Sequence, residues 1–220
     1  MRLGGVIPLR AVIFDLWETL IDWDPAAADA MLARAAAIAG GDFDRRWPQS
    51  ANRYVAPIRE ALADAGVAAD LIEEVCAIRL EYVRESLVPR PGAIETLRRL
   101  RERGLLVGLI TVCTEDVEVL WPETAFAGLF DAEVFSSSVG LAKPDPRIYE
   151  LCCGLLGVVP GEALFVGDGA NDELAGAERA GLRALLIHRA GEEPLWPEVK
   201  AWEGPRVTSI PEVLEVLEAC

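Results

Sequence analysis

Five polar residues of this 220-residue chain stand at, or a few residues past, the ends of short apolar runs. They are Asp15 after "AVIF", Thr111 closing "LLVGLIT", Lys143 within "GLAKPDP", Asp168 after "ALFVG", and Asp172 four residues further on. Such a set suits attack on phosphorus. A carboxylate can be the nucleophile, splitting one hard hydrolysis into two easier displacements. Nucleophile and phosphate repel, so positive charge is needed. A magnesium ion held by two carboxylates and a lysine ammonium would supply it, with a hydroxyl and backbone N–H groups holding the phosphoryl oxygens. Singly, each residue has an ordinary explanation: strand-end Asp as helix cap or turn former, Thr as a β-branched strand residue, Lys before Pro as a solvated charge, "GDGAND" as a turn. Their order, each near the close of an apolar run, favours the joint reading.

The runs at 11–15, 105–111, 132–137, 163–168 and 184–188 are almost continuously hydrophobic, which predicts strands buried on both faces of a parallel sheet. Helical patterns follow in "GAIETLRRLRERG", "DPRIYELCCGLLG", "ANDELAGAERAGL" and "SIPEVLEVLEA". This alternation predicts right-handed crossovers and a doubly wound, mainly parallel α/β sheet. The first and second strands are about 90 residues apart, where about a dozen suffice for a crossover. "PAAADAMLARAAAIAG", "VAPIREALADAG" and "ADLIEEVCAIRLEYVRESL" fill that gap with helical patterns. The expected organisation is an α/β core of residues 1–21 and 89–220, and an all-helical cap insertion of 22–88 returning through "VPRPG". Open α/β sheets bind ligands beyond the carboxyl ends of their strands, so such an insertion stands over the site.

A 52% apolar composition can build one sizeable core, and a net charge of −15 argues against nucleic acid or an anionic membrane as partner. A small anionic substrate remains compatible if the pocket is locally positive. No apolar run is long enough to span a membrane, and "MRLGGVIPLRAVIF" lacks the signature of a signal peptide. Cys76, Cys113, Cys152, Cys153 and Cys220 form no CxxC pair and read as reduced thiols of a cytoplasmic protein. His188 is the only histidine, too little for a zinc site. Oligomeric state leaves no mark in the sequence.

Four stretches carry a family resemblance. "VIFDLWETLID", "GLITVCTED", "SSSVGLAKPDPRIYE" and "ALFVGDGANDELAGAERAGL" are similar, in order, to the four motifs of the haloacid dehalogenase-like superfamily, in its branch with a helical cap after the first strand. The resemblance spans residues 11–188. It implies a Rossmann-like core and a Mg2+-dependent hydrolase of small phosphorylated metabolites acting through an aspartyl phosphate. Asp15 would be nucleophile and metal ligand, Thr111 would bind the phosphoryl group, and Lys143 would neutralise charge. Asp168 would ligate the metal, and Asp172 would ligate through water or pair with Lys143. Asn171 would belong to the same shell, and the backbone carbonyl of Trp17 would complete the protein ligands.

Trp17 is the departure. The family's phosphatases place there an Asp that protonates the leaving oxygen and later activates water, and an indole does neither. A positioned acid/base contributes about 10²- to 10⁴-fold, roughly 3–5 kcal/mol. The leading reading is a phosphohydrolase with altered acid/base provision: a leaving group that needs no proton, such as an acyl or aryl phosphate, or a carboxylate from Glu18, Asp22, Asp24 or the cap. The second is a 2-haloacid dehalogenase-like hydrolase, whose family also places an aromatic residue here. It needs no metal, however, and has an uncharged residue where Asp168 stands. The third is a non-catalytic descendant that binds a phosphorylated ligand. His188 and Cys113 read as packing residues. Arg45 and Arg46 read as helix-end charges, and Trp47 as a core residue. "RRLRERG" reads as the wet face and end of a helix. "EEPLWPEVKAWEGP" reads as irregular, with its tryptophans under the sheet edge.

Overall fold

The structure, a computed structural model, describes residues 7–191, 193 and 196–218. The opening residues of the "MRLGGVIPLRAVIF" stretch and Cys220 lie outside them. Among the described residues six strands form one parallel sheet: β1 (Ala11–Phe14), β2 (Leu106–Thr111), β3 (Ala132–Phe135), β4 (Ala163–Gly167), β5 (Arg183–Ile187) and β6 (Arg206–Val207). Their spatial order is β3-β2-β1-β4-β5-β6. Every pairing is parallel, with Phe14 of β1 opposite both Leu109 of β2 and Val166 of β4. The order reverses between β1 and β4, the switch point where such sheets open a crevice at their carboxyl ends.

Alternation along the strands explains why both faces are covered. Val12, Phe14, Leu109 and Val166 point into one apolar cluster, while Ala11, Ile13, Ile110 and Phe165 point into the other. Between β1 and β2 run α1 (Pro25–Ala39), α2 (Phe43–Gln49), α3 (Ile58–Asp64) and α4 (Ile72–Ser86). Then follow α5 (Ala93–Glu102), α6 (Glu115–Leu120), α7 (Ser136–Val139), α8 (Pro146–Leu156), α9 (Glu173–Arg179), α10 (Pro197–Ala201) and α11 (Glu212–Glu218). Leu97 of α5, Val117 of α6 and Val213 of α11 cover the first face. Tyr149 of α8, Leu174 of α9 and Val199 of α10 cover the second. The helices α1 to α4 have a cluster of their own around Ala35, Phe43, Trp47, Leu62 and Val75. No helix among the described residues is long and apolar enough to cross a membrane.

Local chemistry sets the boundaries. Asp24 caps α1 by accepting from Ala26 N (2.9 Å) and Ala27 N (3.1 Å), and Asp145 caps α8 by accepting from Arg147 N (3.0 Å). Two expectations need correction. The run at 132–137 stops being a strand at Phe135, because Ser136 opens α7 and its hydroxyl accepts from Cys113 N at 3.0 Å. The stretch read as irregular contains α10, opened by Pro197 at the one helical position that loses nothing to a missing N–H, and leads into β6. Trp196 and Trp202 both pack against the second cluster, as expected of the sheet edge.

Arg90 ties the loop after β1 to the segment returning from α4. Its backbone N–H donates to Leu20 O at 2.8 Å. The guanidinium, 6% exposed, donates from Nε to Asp22 Oδ1 (2.6 Å), from Nη2 to Glu18 Oε2 (2.8 Å), and from Nη1 to the Glu18 carbonyl. Glu18 itself sits in the left-handed region at φ 58°, uncommon for a side chain with a Cβ, and this network holds it there. Arg90→Ala should destabilise the fold by about 2–3 kcal/mol in urea titration, because two carboxylates lose a buried cation. Arg90→Lys should recover only part of that, since an ammonium cannot bridge both carboxylates and the carbonyl.

Candidate active site

Asp15 continues the β1 ladder by one residue, its N–H donating to Val166 O at 2.9 Å. It therefore leaves the sheet beside Asp168, which follows the neighbouring β4. Both are buried, as are Lys143 and Glu173. Lys143 Nζ donates to Asp15 Oδ1 and to Glu173 Oε2 at 2.5 Å, and lies 5.1 Å from the Phe165 ring centre. Oxygens of Asp15, Asp168 and Glu173 all lie within 4.8 Å of one another. Glu173 reaches the cluster because it opens α9, where side chains point back toward the helix start. Its Oε1 accepts from Gly169 N at 3.0 Å. A Cβ on Gly167 would stand 2.1 Å from that same oxygen, so the strand end must be glycine for the carboxylate to lie against it.

One buried cation faces three buried carboxylates. Burial opposes the charge on Lys143, yet Asp15 and Glu173 outweigh it and hold the ammonium above its ordinary range. Burial, helped by Asp15 and Asp168, raises Glu173 despite the pull of Lys143. Asp168 is pushed up to about 6 by burial and by the charge on Asp15. Bonds donated by Ala170 N (3.1 Å) and Trp196 Nε1 (2.8 Å) oppose that shift. A compact set of hard oxygen donors with surplus negative charge fits a divalent cation.

A cavity of about 460 Å³ opens above this floor, walled by the loop after β1, residues 112–114, the inserted helices and Trp196. The sequence-derived residues fall into three groups. Asp15, Lys143 and Asp168 come together, and Trp17 and Asn171 line the cavity. Thr111 is fully buried at the end of β2 with the Cys113 thiol beside it; Val112, Cys113 and Thr114 form the wall there instead. The pairing expected of Asp172 with Lys143 is corrected, because Glu173 makes it. Asp172 has a left-handed backbone (φ 61°) that turns its exposed side chain to Arg179, 2.9 Å away.

Three of the carboxylates considered as stand-in acids are engaged elsewhere: Glu18 and Asp22 by Arg90, and Asp24 in capping α1. Burial pushes the Cys113 thiol far up, which suits packing and not nucleophilic attack. His188 follows β5, half-buried, its N–H donating to Val207 O at 3.0 Å. Two site features escaped the sequence reading besides Glu173. Trp196 bonds Asp168 from 28 residues away. Arg79 of α4, 4% exposed, crosses to the sheet domain: it pairs with Asp116 Oδ2 (2.8 Å), donates to Thr114 Oγ1 (2.9 Å), and stacks 4.6 Å from the Trp47 ring centre.

The fold and this strand-end cluster are those of a doubly wound α/β enzyme that works at the carboxyl edge of its sheet. A family model described as haloacid dehalogenase-like hydrolase matches residues 9–181. The chain belongs to that family and is a hydrolase of it. It is 37% identical over 144 residues to a phosphoserine phosphatase of Thermus thermophilus, covering 64% of this chain and 56% of that protein. The chain thus spans little more than half of that relative. It is 34% identical over 190 residues to phosphoglycolate phosphatase 1 of Pseudomonas aeruginosa, with 81% and 69% covered. It is 28% identical over 200 residues to (S)-2-haloacid dehalogenase 4A of Burkholderia cepacia, with 84% and 86% covered.

Because Asp168 holds its proton more tightly when folded, its contribution to stability is full below pH 3.8 and is lost as pH rises through about 6. In chelator-treated protein that loss should approach 2–3 kcal/mol, and Asp168→Asn should flatten it. Near pH 7.5 magnesium should raise the melting temperature of the native chain and not of the Asp168→Asn variant. Gly167→Ala should dislodge Glu173 and weaken that magnesium-induced shift while leaving the far-UV circular dichroism unchanged.

Proposed function

We propose that the chain is a Mg2+-dependent phosphohydrolase acting on a small phosphorylated metabolite, with Asp15 as nucleophile. The observation that carries this is the buried trio Asp15, Asp168 and Glu173, of which a single lysine pairs with two, an excess of negative charge that a metal-free dehalogenase has no use for. In this reading Asp15 and Asp168 with the Trp17 carbonyl hold the cation, which supplies charge neutralisation to the phosphoryl oxygens when bound. Residues 22–88 act as a cap over the core of 1–21 and 89–220.

The Asp15 carboxylate attacks phosphorus, the P–O bond to the leaving group breaks, and an aspartyl phosphate forms; water then attacks that phosphorus and returns Asp15. Lys143 orients Asp15 and offsets the incoming charge, while Glu173 orients Lys143. Thr111 acts from behind the wall by setting the loop of 112–114, whose backbone faces the phosphoryl group. Asn171 borders the same group, and Asp172 fixes the start of α9 through Arg179 instead of touching the metal. Protonation of the leaving oxygen has no donor at Trp17. Among the cavity-lining residues, Asp29 of α1 is the carboxylate contributed by the inserted helices.

Trp17 also favours a second reading, 2-haloacid hydrolysis, since a halide leaves without a proton. Hydrolysis of para-nitrophenyl phosphate and acetyl phosphate, with and without magnesium, separates the two. Magnesium-dependent turnover should appear on both and fall at least about 10³-fold in Asp15→Asn. Turnover of 2-chloropropionate without magnesium, and none on the phosphates, would overturn the phosphohydrolase reading.

A further inference from the structure

The chamber above the acidic floor has a composition that the chemistry of phosphate alone does not require. Six aromatic side chains line it: Trp17, Trp23, Trp47, Tyr54, Tyr82 and Trp196. Four of the chain's six tryptophans are thus committed to one cavity. They come from separate places: the loop after β1, the entry to α1, α2, the turn before α3, α4 and the segment before α10. Trp23 stays 42% exposed at this wall instead of joining a core. The volume, about 460 Å³, lies within the range of pockets that enclose an organic ligand. It holds far more than a phosphoryl group.

We propose that the substrates are aryl phosphates, monoesters in which the phosphoryl group is esterified to a ring hydroxyl, an inference that rests on the phosphohydrolase reading above. Two unrelated features converge on it. The aromatic walls offer stacking and edge contacts to a ring, worth about 0.5–1.5 kcal/mol per pair beyond area burial. Trp17 removes the proton donor, and a phenol is the alcohol that least needs one. Phenolic hydroxyls ionise near a pKa of about 10, against about 15.7 for water, so a phenolate departs as the anion where an alkoxide must be protonated. In the step itself an Asp15 oxygen forms the new bond to phosphorus, the P–O(aryl) bond breaks, and its electron pair leaves on the phenolate oxygen. Solvent water protonates that oxygen after release. In the second step a water oxygen bonds phosphorus as the P–O bond to Asp15 breaks, its electron pair returning to the Asp15 carboxylate; the water's proton goes to bulk solvent and inorganic phosphate is freed. An acyl phosphate would also leave unaided, but a small acyl group would fill none of the aromatic walls.

The test compares kcat/KM in the presence of magnesium for phenyl, benzyl, butyl and acetyl phosphates. Benzyl phosphate keeps the ring and changes only the leaving oxygen to an alkoxide. Acetyl phosphate keeps an easily departing group and drops the ring. Phenyl phosphate should exceed benzyl phosphate by about 100-fold or more, the contribution a missing acid would otherwise supply. It should exceed acetyl phosphate mainly through a lower KM. Trp23→Ala should lower kcat/KM for phenyl phosphate about 10-fold, and more than it lowers that for acetyl phosphate. Equal rates on benzyl and phenyl phosphate, with benzyl turnover lost in Asp29→Asn, would overturn the inference by revealing an acid on the inserted helices. Acetyl phosphate cleaved as efficiently as phenyl phosphate would overturn it by showing that the walls do not read a ring. Both outcomes leave the phosphohydrolase reading intact. No turnover of any of the four phosphates, with or without magnesium, would instead remove that reading and the inference together.

Discussion

The ammonium of Lys143 is the interaction on which the rest of this molecule depends. Without it, Asp15, Asp168 and Glu173 would be three carboxylates confined within 4.8 Å and cut off from water. Such a cluster either takes up protons or forces the sheet edge apart. One lysine pairs with two of the three and leaves the third, Asp168, with only hydrogen bonds and a raised affinity for protons. Three carboxylates against one ammonium leave the ionised cluster two charges short of neutrality. That shortfall gives a cation reason to bind at the carboxyl edge of the sheet.

Getting those four groups together consumes much of the local sequence. β1 and β4 must be neighbours so that Asp15 and Asp168 emerge side by side. Gly167 must lack a Cβ, and the turn through Asn171 and Asp172 must pass through left-handed backbone so that α9 starts with Glu173 facing inward. Glu18, Asn171 and Asp172 are the non-glycine residues with positive φ among those described; the first two line the cavity and the third directly precedes Glu173. Strain concentrated at a site and held by surrounding bonds is what a preorganised cluster looks like.

Much of this was legible in the amino-acid order, for physical reasons. Short, continuous apolar runs bounded by turn signals fit strands covered on both faces, so the sheet and its carboxyl edge followed from patterning. Asp15, Lys143 and Asp168 stood out because each interrupts an apolar or turn signal with a charge. Glu173 did not, because "ANDE" offers two adjacent acids, and which one faces inward depends on where the left-handed turn hands over to helix, a matter of backbone angle and not of composition. Trp196 was hidden among prolines that promised irregular chain. Its bond to Asp168 is a tertiary contact with no local signature. Thr111 sits at the expected strand end, but a strand's alternation can turn its last side chain inward while the next residues face the ligand.

The pair between Arg79 and Asp116 joins the inserted helices to the sheet domain, buried on both sides and braced by Thr114 and the Trp47 ring. Ion pairs of this kind are nearly break-even, because two charges that lose each other regain their hydration. A lid held mainly by apolar contacts would resist opening in proportion to the greasy area it uncovers. In the capped reading proposed above, a lid held at this point by a charged clasp would release two ions to water when it lifts. On that proposal, closing the chamber against solvent and emptying it afterwards would draw on the same pair of charges.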